Sequence, residues 1–486
     1  MKELSKKIYR YLLYAMPLCL FMSYHPVIRL GGDATMNFEL SVAEIWLVLF
    51  DIVGVMTIIV NKLMFKGFGR RWWLWVLLPI WMTLSVVWSL NVTRGLLTAG
   101  LMWAIVVAGY VMWGLRDLLD DVFKRKWWRW FWGSTLVICV WCVVQCVMDI
   151  AGLGQECTLL CDGCTYRMFG FPHPNGMAIE PQFMGNLLLA PIMTSIWFLI
   201  TARAGGPENS KPRFFSSAKG FGLLTFVFIV TLFLTFSRGA IYAFGVGLLF
   251  LSGWVVARGG KARRSVWKRV GLVWGIVVVS FVVALNIQGL MAELGPTNDT
   301  YATGVAKVLN QLSLGIIDIR EPNKADGEVV EKSVENSGGD EVVVEEGEAV
   351  FDGYVAESTD TRLRLTGAAM TIWRQDFKTA MVGVGLGGAG QALYNNELSP
   401  APKEIVQNEY ASLLLEVGLI GVVLAVLVMV LFIRVVIRSP VAGMLLALMV
   451  AYGVSLVFFS GLPNALQIYL MPMVLLAVGS LARTKR

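Results

Sequence analysis

Arg94, Arg238, Arg362 and Arg364 stand apart from the other basic residues of the chain. Arg94 follows the short stretch 91–93, and Arg238 sits in LTFSRGA between two apolar runs with almost no loop. Arg362 and Arg364 open TRLRLTGAAMTIWRQDFKTA, in which Leu365, Ala369, Ile372 and Trp373 share one helical face. A guanidinium is a planar fork of N–H donors matched to phosphate oxygens. Several of them at one depth would hold a diphosphate and stabilise the charge that builds on it as a bond to it breaks. Taken singly, each arginine reads equally well as a side chain snorkelling to lipid phosphate.

The stretch FGFPHPNGMAIEPQFMGN adds His173, Asn175, Glu180 and Gln182 at the head of another apolar run. Glu180 reads as a general base or as an arginine's ion-pair partner. His173, one of two histidines in the chain, is a catalytic or a structural residue near a membrane surface. QNEYASLLLEVGLIG, residues 407–421, begins polar and turns apolar. Asn408 can cap a helix there, and the unpaired N–H groups of a helix start attract anions. Gly418 and Gly421 would let a second helix pack closely against this one. The run VGVGLGG carries dinucleotide-loop glycines without the strand and helix that such a loop needs. It reads instead as a tight turn that lets backbone approach the membrane helices. Cys157, Cys161 and Cys164 are spaced CxxxCxxC, open to a disulfide with one thiol over, three free thiols or a metal site. Cys139, Cys142 and Cys146 lie within a span and read as small packing residues.

The elements that position these residues follow from composition. The chain of 486 residues is 56% hydrophobic and 15% charged, with a mean hydropathy of +0.66. Soluble domains carry about 25% charged residues, and the apolar residues here come in blocks of roughly 20, the length that crosses a bilayer. The expected fold is an all-α polytopic bundle of about twelve spans, near 11–29, 42–60, 72–90, 95–114, 131–151, 177–201, 221–236, 240–257, 270–290, 409–433, 441–460 and 464–482. Alternate loops and both termini hold 28 of the 41 basic residues, so they should be cytoplasmic. That distribution accounts for the net charge of +7 without nucleic acid. Nine spans occupy 1–290 and three occupy 409–486. Between them, 291–408 forms one large extracytoplasmic loop with short helices and an acidic mobile insertion at 321–360. The four arginines, Glu180 and the 407–408 pair then all fall on the outer side.

Together these residues resemble the O-antigen ligase and polymerase superfamily of bacterial membrane glycosyltransferases. Gln407, Asn408, Gly418 and Gly421 fall on its pattern of His, then Asn, Ser or Gln, nine residues, Gly, two residues and a small residue, except that Gln407 replaces the His. SRG at 237–239 resembles its Ser-Arg-Gly between adjacent spans. TRLRLTGAAMTIWRQDFKTAMVGVGLG resembles its Arg-led amphipathic helix and Gly-Val-Gly turn, with Arg362 matching the leading Arg.

The resemblance implies an enzyme of the bacterial inner membrane that needs neither metal nor cofactor. Its donor would be an undecaprenyl-diphosphate-linked glycan, and the hydroxyl of an acceptor glycan or glycolipid would attack at the outer face. Arg238 and Arg362, with Arg94, would contact the diphosphate. A glutamine amide cannot take a proton from a hydroxyl at neutral pH, though it can orient one. Glu180 or His173 would then supply the base, and the departure at Gln407 tilts the expectation from ligase toward polymerase. The rival readings are a flippase for lipid-linked oligosaccharide, which should show repeated halves and helices interrupted at mid-membrane depth, and a non-catalytic assembly partner. No internal repeat or interrupted helix is expected.

Overall fold

A computed structural model of the chain describes residues 2–23, 27–32, 37–63, 73–151, 153, 165–166, 172–201, 217–258, 263–295, 300–313, 349–402, 404–462 and 465–479. The three cysteines at 157, 161 and 164 and most of the acidic insertion lie outside what is described there. The fold is all-α. Nine helices come first: α1 (Lys2–Phe21), α2 (Val42–Val60), α3 (Leu77–Ser85), α4 (Val92–Gly114), α5 (Asp121–Ile150), α6 (Pro181–Thr201), α7 (Ala218–Leu234), α8 (Arg238–Arg258) and α9 (Arg263–Leu294). Four shorter or amphipathic helices follow, α10 (Tyr301–Leu312), α11 (Ala349–Trp373), α12 (Phe377–Val382) and α13 (Ala389–Asn395). The chain closes with α14 (Glu409–Ile437), α15 (Ala442–Ser455) and α16 (Leu466–Gly479).

Every expected span coincides with one of α1–α9 or α14–α16. By length and composition seven of these can cross a membrane, α2, α4, α5, α6, α8, α9 and α14, and four more are shorter apolar helices. The first span is corrected. Its helix runs from Lys2 and stops at Phe21, and residues 27–29 belong to a strand, Val27–Gly32, paired antiparallel with Asn37–Ser41.

Side chains fix the helix starts that matter to the site. Asn91 caps α4 by accepting from the Arg94 N–H, and Asn408 caps α14 by accepting from the N–H groups of Tyr410 and Ala411. Helix α6 is apolar all round and forms the centre of the bundle, 83% buried over its spanning window, against α7, α8 and α15. Helix α14 is peripheral at 11% buried, so most of its length faces outward from the protein.

Helix α14 is not continuous, contrary to the expectation of unbroken helices. Gly418 has φ 66° and ψ −173°, which ends one helical segment and starts another. The carbonyls this break frees are all taken. Val384 N–H donates to Leu415 O at 2.9 Å, Gly385 N–H to Glu416 O at 3.0 Å, and Trp81 Nε1–H to Val417 O at 3.0 Å. The glycine run 383–388 is thus a wedge between α14 and the α3–α4 junction, where Ser89 Oγ donates to Leu386 O at 2.7 Å. A side chain at Gly385, itself at φ 93°, would collide with the Ser89 backbone. Gly418 therefore does not serve helix–helix packing; it makes a corner.

Candidate functional site

Helix α11 aims Arg362 at the head of α14. Leu365, Ala369 and Ile372 bury one face against α13 and α14, and Arg362 stands one turn before Leu365 on that face. Its Nε donates to Gln407 Oε1 at 2.8 Å, and its Nη2 donates to Gln182 Oε1 at 3.3 Å. The Gln182 amide N–H in turn donates to Phe458 O at 3.0 Å. Glu180 immediately precedes α6, whose spanning segment starts at Pro181, and its carboxylate lies in the field of Arg362. Surrounding protein raises its pKa above the ordinary carboxyl value, and the Arg362 charge opposes that rise. Arg364 is not part of this cluster. It lies about 200° round the helix from Arg362 and its side chain is exposed.

The head of α14 carries a second set of polar contacts. Glu409, 8% accessible, accepts from Ser460 Oγ at 3.0 Å, Gly461 N–H at 2.7 Å and Tyr469 OH at 3.1 Å. Arg94 lines a polar cavity of about 20 Å³ with Glu409, Ser412, Glu416 and Ser460. Arg94 thus shares its cavity with two carboxylates of α14, and its charge acts on Glu416, while Arg362 is held by amides. Glu416 Oε1 also accepts from Ala389 N–H, the first residue of α13, at 3.4 Å.

Arg238 is the first residue of α8 and is 9% accessible. The turn before it is strained, with Phe236 at φ 57°, a region that bulky residues rarely enter. The His173 ring stacks on the Phe236 ring at 4.9 Å and 10°. Beyond the turn, Gly239 packs on Phe458, whose Cβ lies 2.9 Å from where a side chain on that glycine would begin. Phe458 therefore touches the Arg238 helix start and the Arg362 network alike.

Burial pushes the His173 pKa down to about 3, which favours the neutral imidazole. Its place under Phe236 makes it a flat brace. His173→Phe is expected to keep activity within about 3-fold, whereas His173→Ala should lose about 10-fold or more, since aromatic pairs contribute beyond their burial. The activities of the two variants distinguish brace from catalyst; a dead His173→Phe would count for the catalyst.

Glu409, Gln182, Phe458, Ser460 and Tyr469 form most of the scaffold, and the sequence reading gave Glu409 no role. Its signal was present, because a carboxylate in the first turn of an apolar helix needs a partner. Beside this head, an apolar cavity of about 270 Å³ runs from Tyr410 and Tyr469 down to Trp75, Trp113 and Phe432 between α3, α4, α14 and α16.

No curated protein matches the chain. Residues 223–426 match the family model described as O-antigen ligase. That segment runs from α7 into α14 and contains Arg238, Arg362, Gln407, Asn408 and the Gly418 corner. Glu180, Gln182 and the 456–461 loop lie outside it. Over those residues the chain carries an O-antigen ligase domain.

Proposed function

We propose that the chain moves a glycan from an undecaprenyl-diphosphate donor to an acceptor sugar hydroxyl at the outer face of a bacterial inner membrane, as a polymerase rather than a ligase. The observation that carries this reading is Arg362, held by Gln407 and Gln182 with the Glu180 carboxylate in its field. A guanidinium fixed at two nitrogens is preorganised for phosphate oxygens and needs no reorganisation as charge develops. Arg238, at the positive end of α8, adds a second cation whose helix start meets the same Phe458. In the reaction the acceptor oxygen bonds to the anomeric carbon and the bond from that carbon to the diphosphate oxygen breaks. Undecaprenyl diphosphate leaves with the electron pair, and the hydroxyl proton passes to Glu180. Gln407 orients Arg362 through its amide oxygen. The apolar cavity below Tyr410 and Tyr469 fits an isoprenoid chain that enters from the lipid.

The corner in α14 is a feature shared with transporters, whose broken helices offer open backbone carbonyls to ions. Here the freed carbonyls already accept from Val384, Gly385 and Trp81, which favours a fixed corner over an ion site. Reconstitution with lipid-linked glycan and sizing of the product tests the reading. A ladder of repeats supports the polymerase, a single capped product the ligase, and an unchanged donor moved across the bilayer would replace both with a transporter.

The base makes its own prediction. Glu180 acts deprotonated, so transfer should fall as pH drops through a carboxyl pKa above the ordinary 4.5. Glu180→Gln should abolish that acid limb and lower kcat by about 10²–10⁴. A retained limb in Glu180→Gln would move the base elsewhere.

A further inference from the structure

We propose that Glu409 is a positioning residue that sets both arginines through the loop between α15 and α16; this rests on the diphosphate reading above. One residue ties that loop at two points. The Glu409 N–H donates to Leu456 O at 3.0 Å, and the Glu409 carboxylate accepts from Ser460 Oγ and Gly461 N–H. Phe458 lies between the two ties. Its carbonyl holds Gln182, the partner of Arg362, and its Cβ bears on Gly239, next to Arg238. Glu409 also follows Gln407, the other partner of Arg362, by two residues. A closed path therefore runs from Arg362 through Gln182, Phe458 and Gly461 to Glu409 and back through Gln407.

Three donors converge on the carboxylate from two elements, the loop and Tyr469 of α16. An acceptor-only group with two oxygens meets all three, which neither an amide nor a hydroxyl does. Removing it would release the loop from α14 and loosen Phe458 from Gln182 and Gly239 together. The loop lies outside the matched segment, so this assigns a role to residues that the family match does not reach.

The test uses the full-length protein in nanodiscs, with size exclusion and melting as controls for folding. Glu409→Ala is expected to lower kcat about 30-fold with the donor KM changed less than about 3-fold, and Glu409→Gln to recover to within about 5-fold of wild type. Added to Arg362→Ala, Glu409→Ala should cost clearly less than its own ~30-fold, because only the part that runs through Arg238 remains to be lost. A full multiplicative loss in that background, or a wild-type rate for Glu409→Ala alone, overturns the inference. If Glu409→Ala does not fold, Ser460→Ala takes its place, with a loss of about 3–10-fold and the same non-additivity.

A second readout is independent of turnover. Phenylglyoxal modification, followed by mass spectrometry, should rise several-fold at Arg362 and Arg238 in Glu409→Ala and stay constant at exposed Arg364. If the wild type transfers no glycan and modification still rises, the positioning role stands and the transferase reading falls. If modification does not rise, the positioning role falls whatever the wild type does.

Discussion

Arg362→Ala is expected to lower glycan transfer by about 10²–10³-fold, while Arg364→Ala, two residues on, stays within about 2-fold. The contrast follows from where each side chain points. Arg362 shares the face of Leu365 and Ile372 and meets Gln407 and Gln182, whereas Arg364 is exposed on another face of α11. Two hydrogen bonds hold the Arg362 fork before the donor arrives, so its contribution at the developing diphosphate is not spent on ordering the side chain. Arg362→Lys should recover little, because a point charge on a flexible stem cannot bond two amide oxygens and a phosphate in one plane. The rates come from consumption of lipid-linked glycan by purified variants. Equal losses for Arg362→Ala and Arg364→Ala would show that charge in this region, rather than this fork, matters.

The spans were legible because block length and charge asymmetry report on the bilayer, a constraint that acts locally along the chain. The amphipathic face of α11 was legible for the same kind of reason, since helical period alone puts Leu365, Ala369 and Ile372 together. The arginines were legible as a set and not as a geometry. Nothing in the spacing of Arg94, Arg238 and Arg362 says that the first lines a cavity with Glu409 and Glu416 while the last is held by two amides. That division depends on contacts between residues far apart in the chain, 45 and 180 positions for the two amides on Arg362. Glu409 illustrates the limit. Its first-turn position marks a carboxylate in need of donors, but the donors sit in the 460–461 stretch and on α16, where sequence offers only a short apolar loop.

The reading of Gly418 failed for a different reason. Glycines in a spanning helix usually mark close packing, and Gly421, beside Trp81, does sit in a crowded place. At Gly418 the glycine is needed for its backbone. The clue lay in the separate run VGVGLGG, whose N–H groups occupy the carbonyls that the corner frees. Two glycine-rich stretches that each looked like an ordinary device form one joint between α11–α13 and the spanning helices.

Gly418→Ala is accordingly expected to destabilise the protein by roughly 3–5 kcal/mol, from backbone strain and overpacking together. At φ 66° and ψ −173° a Cβ is strained whatever the space around it, and here it would also collide with the Met381 carbonyl. Straightening α14 offers no escape. The carbonyls of Leu415, Glu416 and Val417 would return to the helix, leaving Val384 N–H, Gly385 N–H and Trp81 Nε1–H without acceptors. Gly367→Ala in α11 is the comparison, with nothing within 4 Å of the added methyl. It should leave stability unchanged or raise it slightly, because it removes freedom only from the unfolded chain. Melting in detergent and the yield of monodisperse protein report both variants. A Gly418→Ala protein that melts with the wild type would mean that α14 runs straight in the membrane, and the joint that presents Gln407 to Arg362 would need another origin.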